Sequence, residues 1–302
     1  MAGKTRDIKS RIKAVNNIQR ITRTMQMIAT ARFQAMQKRA TAAQAYTRKI
    51  AEIVHEVSLA MASEGQVAHP LLRSPEPPVG RELMLVISAS RGLCGAHNSN
   101  ILRNARQFLR ERIGEADIAM DLEVVGKKAL AYFRYNGIEV ARNHTQFGER
   151  PPYEEVHRLA DRYMEEFTAG RYDAVYVVYT AFISASKQEP RVEQLLPLEY
   201  AGAEGGAGVE AGAGASSSDY DFSPDPEQIL MELLPVTVRT RLFQCFNEAV
   251  VSEQLARMVA MKGATDAAGR MNRTLNRQYN RARQTAITTE LTEIIGGAAA
   301  LD

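Results

Sequence analysis

Two terminal segments with helix-period apolar residues and no proline flank a middle in which strand and helix patterns alternate. Together they predict an α/β protein: a long antiparallel coiled coil of the N- and C-terminal helices with an inserted Rossmann-like α/β domain. Each terminal helix reads as roughly 60 residues, about 90 Å at 1.5 Å per residue. Neither can bury its apolar face alone, so the economical arrangement pairs them. The expected divisions are an N-terminal coiled-coil helix at 1–64, the α/β domain at 65–200, a flexible Gly/Ala/Ser insertion at 201–218, and a base segment with the C-terminal coiled-coil helix at 219–302.

The first helix is expected over residues 4–62, which hold neither glycine nor proline. Ile8, Ile12, Val15, Ile18, Ile21, Met25 and Ile28 recur at spacings of three and four and predict one buried face. Gly65, Pro70, Pro75, Pro77, Pro78 and Gly80 end the pattern. In the middle, strands are expected at 82–90, 121–125, 138–143, 174–182 and 192–198, with helices at 98–113, 127–135 and 153–169. This alternation predicts a sheet that is at least partly parallel, with helices on its faces.

Residues 202–218 are Gly/Ala/Ser-rich with scattered Glu and cannot build a core. A short helix is expected to reach Leu234, where Pro235 interrupts or kinks it. The second long helix then runs over 236–295, with a distal stripe of Ala268, Met271, Leu275, Tyr279, Ala282 and Ala286. Gly296 and Gly297 are expected to terminate it.

With 45% hydrophobic and 24% charged residues, a sizeable core is available. The net charge of +3 conceals an uneven distribution. Residues 1–50 carry 12 Lys/Arg against Asp7 alone, and 192–238 carry nine acids and no base. Residues 262–283 are basic again, with six Lys/Arg against Asp266. Cys94 and Cys245 are the only cysteines and have no CxxC spacing, which suits a reducing compartment and supplies neither a disulfide framework nor a metal site. The longest strongly apolar run, 174–185, is 12 residues, short of the ~20 a membrane span needs.

A Rossmann-like middle invites an enzyme reading. The turn after the first strand contains Arg91-Gly-Leu-Cys-Gly95, but it matches neither GxGxxG nor GxxxxGK[ST], and Gly126-Lys127-Lys128 also falls short. The turn reads as a tight strand-to-helix connection in which Gly92 and Gly95 permit unusual backbone angles. Cys94 and His97 are too close in sequence to supply an oriented nucleophile–base pair. The five histidines (His55, His69, His97, His144, His157) form no ligand-spaced pair. No catalytic residue, cofactor site or metal site is expected. The basic helices could also serve a nucleic-acid scaffold. Sustained apolar faces and the lack of a recognition motif or stacking aromatics speak against that class.

Five segments in order decide among these classes. ARQTAITTELTEIIGGA at 282–298 resembles the C-terminal signature of ATP synthase γ subunits, and ARMVAMKGATD at 256–266 is similar to that family's other C-terminal motif. IQRITRTMQMI at 18–28, RGLCG at 91–95 and QLLPL at 194–198 match it as well.

The resemblance implies a rotating central stalk without catalysis of its own. The coiled rod would lie within a hexamer of three α and three β subunits, its base meeting the ε subunit and a ring of membrane c subunits. Proton or sodium flow through that ring would drive ATP synthesis, or hydrolysis in reverse. It implies no cofactor, no nucleic acid, membrane contact only through the c ring, and a peripheral position on the cytoplasmic face of a bacterial plasma membrane. Carried over position by position, Met25, Arg257, Arg283, Gln284, Thr288 and Glu290 are implied in α/β contact and coupling. Asp219, Tyr220, Asp221 and Asp225 are implied in contact with ε and the c ring; the family often carries an acid where this chain has Ser223. The insertion lies where plant relatives hold a redox cysteine pair, and it contains no cysteine.

Overall fold

The computed structural model describes residues 2–62, 69–72, 75–116, 118–198 and 226–299. In chain order it contains α1 (Ala2–Ala62), a single 3₁₀ turn (Pro70–Leu72), β1 (Arg81–Ile87), α2 (His97–Ala116), β2 (Ala119–Val125) and α3 (Lys127–Tyr135). β3 (Arg142–His144), α4 (Tyr153–Thr168), β4 (Ala174–Phe182), β5 (Gln188–Leu196) and α5 (Pro226–Ala299) follow. The insertion, and with it Asp219, Tyr220, Asp221 and Asp225, lies outside the described residues.

The strands form one sheet in the order β3-β2-β1-β4-β5. β1 pairs in parallel with β2 and β4, β2 in parallel with β3, and β5 closes the far edge antiparallel to β4. Every β1 residue after Arg81 is buried, as a central parallel strand covered on both faces requires. Leu83, Leu85 and Ile87 point into a cluster with α4 and the first part of α5, whereas Met84 and Val86 point into one with α2 and α3.

Three local expectations are corrected. The third strand begins later, at Arg142, because the Ile138 amide closes the end of α3 by donating to the Phe133 carbonyl at 3.0 Å. β5 begins earlier, at Gln188: a tight turn over 184–187 returns the chain directly against β4, and an edge strand tolerates Pro190. α5 is one helix of 74 residues that passes through Pro235, Gly296 and Gly297. Leu230, Leu234, Val238 and Leu242 are all buried in the sheet's core, so packing on both sides of Pro235 outweighs the missing backbone bond.

The chain divides into two compact units. One comprises residues 1–32, 93–95 and 255–302; the other comprises 33–92 and 96–254 and contains the whole sheet.

Candidate functional site

In the first unit the terminal helices pair. Asn272 Nδ2 donates to Asn16 Oδ1 at 2.6 Å, and the Thr265 and Thr22 hydroxyls lie 2.8 Å apart. Residue numbers rise along α1 as they fall along α5, so the pair is antiparallel. The same stagger sets the start of α1 opposite roughly residue 286, at 1.5 Å rise per residue in both helices. The last turns of α5 therefore continue past the end of their partner helix.

The seam differs from the expected stripe. Val15 and Ala29 are buried, yet Ile18, Ile21 and Ile28 face outward, as does Met271 on α5. At about 100° per residue, three successive three-residue steps carry a side chain far around the helix, and Ile21 lies about 120° from Val15. The buried line instead follows alternating steps of four and three through Val15, Gln19, Thr22, Gln26 and Ala29. The positions that matched a period of three to four by hydrophobicity alone are thus partly the outer surface.

The residues implied in coupling fall into two environments. Arg283, Gln284, Thr288 and Glu290 are exposed, Arg283 and Gln284 at the end of the paired stretch and the other two beyond it. Met25 is half-buried, and Arg257 is only 7% exposed. Ile287, Leu291, Ile294 and Ile295 join the exposed group, Ile294 at 71% exposure. The hydroxyls of Thr285, Thr288, Thr289 and Thr292 each donate to the carbonyl four residues earlier at 2.9–3.0 Å. Their donors are therefore used within the helix, leaving methyl groups to a neighbour. Sequence reasoning had singled out the polar members of this end and missed its isoleucines and leucine.

In the second unit, the N-terminus of α3 is capped from within the chain. The Ser88 hydroxyl accepts from the Ala129 amide at 3.0 Å and donates to the Val125 carbonyl at 3.0 Å, occupying the N-terminus of α3. Gly126, at φ +91°, packs directly on the Ser88 carbonyl. The turn at 91–95 takes its positive φ at Leu93 and Gly95, and Gly92 needs none. A cavity of about 220 Å³ opens over Ile87 and Val125 at the carboxyl ends of β1 and β2. It is smaller than the ~300–1,000 Å³ typical of ligand pockets. Arg91 and Glu149, 3.2 Å apart, pair on its wall. Among the described residues no group of His, Cys, Asp and Glu could hold a metal ion, and no helix is long and apolar enough to cross a membrane.

The second unit also contains a buried charge cluster that the sequence did not signal. Glu123 on β2 is 3% exposed, and its Oε2 accepts from His144 Nε2 at 2.7 Å, Arg162 at 2.6 Å and the Tyr163 hydroxyl at 2.8 Å. Burial alone would raise the Glu123 carboxyl. The hydrogen bonds from His144 and Arg162, the Arg162 charge and the Tyr163 hydroxyl hold it down at about 2. With β2, β3 and α4 each contributing, the cluster fastens the edge of the sheet.

Residues 4–301 match the family model described as ATP synthase. The chain is 43% identical over 301 residues to the ATP synthase gamma chain of Rhodopirellula baltica, covering 98% of each chain. The chain belongs to the ATP synthase γ-chain family. It is also 37% identical to the gamma chain of Leptospira biflexa over 299 residues, again 98% of each. In fold it resembles chains of the Euglena gracilis mitochondrial ATP synthase solved by cryo-electron microscopy. One, from an OSCP/F1/c-ring structure, gives a TM-score of 0.63 at 18% identity, covering 100% of this chain and 95% of that one. Another, from a rotor structure, gives 0.59 at 17% identity, covering 95% and 100%. Neither the enzyme class nor the nucleic-acid scaffold finds support in these likenesses. Within the family assignment, the paired helices and the mostly parallel sheet are the expected fold, and γ is one subunit of a larger complex.

Proposed function

We propose that this γ chain is the rotating, non-catalytic shaft of its complex, turned by a c ring and acting on three α and three β subunits. The observation that carries the proposal is the end of α5. It outruns α1, exposes Ile287, Leu291, Ile294 and Ile295, and turns its threonine hydroxyls back on its own carbonyls. Such a surface seeks an apolar sleeve with little directional bonding, which is what an element turning inside a partner needs. An asymmetric rigid element in that sleeve would bias each catalytic site differently, coupling distant sites through the shaft. Met25, Arg283, Gln284, Thr288 and Glu290 would meet α and β directly. Arg257, being buried, would act by holding the helix pair.

The exposed arginines near this end, Arg273, Arg277, Arg281 and Arg283, would face acidic loops of β. Asp219, Tyr220, Asp221 and Asp225 would meet ε and the c ring, placing the chain at the cytoplasmic face of the membrane through that ring alone. The coiled part of the shaft would be residues 1–32 and 255–302, with 33–62 and the first part of α5 belonging to the sheet-containing unit.

Three measurements test the reading. The purified chain, free of α and β, should show no ATP turnover, because neither the 91–95 turn nor Gly126-Lys127-Lys128 carries a phosphate-loop motif and the Ser88 hydroxyl caps the N-terminus of α3. Turnover by the isolated chain would overturn the non-catalytic assignment. A tagged chain should also bring down α and β in a three-to-three complex. Within it, Arg283→Ala with Gln284→Ala should depress coupled turnover severalfold while the melting temperature barely moves, since exposed polar contacts are worth about 0–1 kcal/mol each. Failure of that double variant to assemble would make both residues anchors, not transmitters.

A further inference from the structure

We infer that the two helices of the shaft are held in register by polar contacts across their seam, a lock formed by Thr22 with Thr265 and Asn16 with Asn272. Val15, Ala268 and Leu275 cluster between the helices with Ile12 packed against them, and Ala29 and Met261 are buried further along the same unit. The large apolar side chains Ile18, Ile21, Met27, Ile28 and Met271 lie off the buried line and are exposed. Apolar contacts alone discriminate poorly between one alignment and another, because sliding exchanges one apolar neighbour for another.

Hydrogen bonds discriminate well. Thr22 is 9% exposed; its hydroxyl donates to the Gln19 carbonyl at 3.1 Å and receives that of Thr265 at 2.8 Å. The Thr265 hydroxyl also lies 2.8 Å from the Met261 carbonyl, but with its one proton given to Thr22 the bonds run from the α5 side chain through Thr22 to the α1 carbonyl of Gln19. About 1.7 turns away along α1, Asn272 donates to Asn16 at 2.6 Å. Between the two pairs Gly269 faces Gln19: an added Cβ would lie 3.1 Å from Gln19 Nε2. A slip of one heptad toward Met258 sets the buried Thr22 hydroxyl against a thioether. The opposite slip sets Asn16 against Tyr279. Only the observed alignment satisfies both pairs and sets Gly269 against Gln19. A single buried polar residue, here Thr22, can fix coiled-coil register in this way at a cost in stability, and the exposed Asn16–Asn272 pair adds a second contact of the same alignment. The lock is a property of the chain alone; its use in carrying torque rests on the rotor reading above.

The test places spin labels at Lys13→Cys and Arg277→Cys, both exposed positions, in the full-length chain with Cys94 and Cys245 replaced by alanine. With the lock intact, one narrow distance distribution is expected. With Asn16→Leu, Asn272→Leu, Thr22→Val and Thr265→Val combined, a second population is expected, displaced by about 10 Å along the axis, one heptad at 1.5 Å per residue. A single distribution of unchanged mean and width in that variant would overturn the inference. Leucine and valine both suit a coiled seam, so loss of helix content in the variant would overturn it as well. That result would mean the polar pairs supply stability and not alignment.

Discussion

Gly126→Ala is expected to prevent stable folding of the sheet-containing unit. Gly126 follows β2 directly and has φ +91°, a conformation that costs an L side chain roughly 1–3 kcal/mol by itself. The steric term is larger. An added Cβ would lie 2.2 Å from the Ser88 carbonyl oxygen and 2.8 Å from its carbon, and neither is the movable end of a side chain. To admit the methyl group, the ends of β1 and β2 must separate. The Ser88 amide and hydroxyl bonds to Val125 would then lengthen, and with them the capping bond to Ala129. Strain plus lost bonds exceeds about 4 kcal/mol, a large share of the ~5–15 kcal/mol that holds a domain together. Urea unfolding of the purified chain checks this, with Gly148→Ala as the comparison. Gly148 has no atom within 4 Å of its added Cβ and no positive φ, so its loss should stay within about 0.5 kcal/mol. Equal stabilities for the two variants would mean that the β1–β2 ends yield freely.

The same glycine shows how far sequence carries the argument. Gly126-Lys127-Lys128 could be dismissed as a phosphate loop from its missing partners in the motif. That Ser88, 38 residues earlier in the chain, caps the N-terminus of α3 required the fold. β4 and α3 fall where their patterns end, since a continuous apolar run and a short amphipathic stretch bounded by glycine or asparagine leave little choice. The long helices were legible as helices because nothing breaks them. Their facing sides were not, because periodicity of apolar residues reports a buried face only when burial is within the chain. Ile18, Ile21 and Ile28 belong to a face that this chain leaves open, and the seam runs through Gln19 and Thr22. Pro235 misled for the opposite reason: a local rule gave way to buried leucines on both sides. The coupling residues came from resemblance, and geometry added the apolar group around them.

Removing the Glu123 charge is expected to unfasten the sheet's edge and to change how the chain responds to acid. The carboxylate is buried among three donors from β3 and α4, with Arg142 Nε a further 3.8 Å from its other oxygen. Glu123→Ala leaves Arg162 and His144 without their anion and opens a void, so a loss of about 3–5 kcal/mol is expected. Glu123→Gln keeps the shape and isolates the charge. In the folded chain the carboxyl titrates at about 2, below the ordinary value of 4.5, so the folded state holds its anionic form more tightly than the unfolded chain does. Its contribution is therefore complete above about pH 4.5 and disappears as the pH falls toward 2, amounting to roughly 3 kcal/mol at most. Other carboxylates also destabilise the chain in acid, which makes the difference between parent and variant the informative quantity. Urea unfolding at pH 7, 4 and 2.5 should show the parent losing more stability than Glu123→Gln across the acid interval, the two curves converging at the lowest pH. Parallel curves would mean that the His144, Arg162 and Tyr163 contacts do not favour the charged carboxylate, and that the edge is held by the apolar packing of Tyr163 and Phe133 alone.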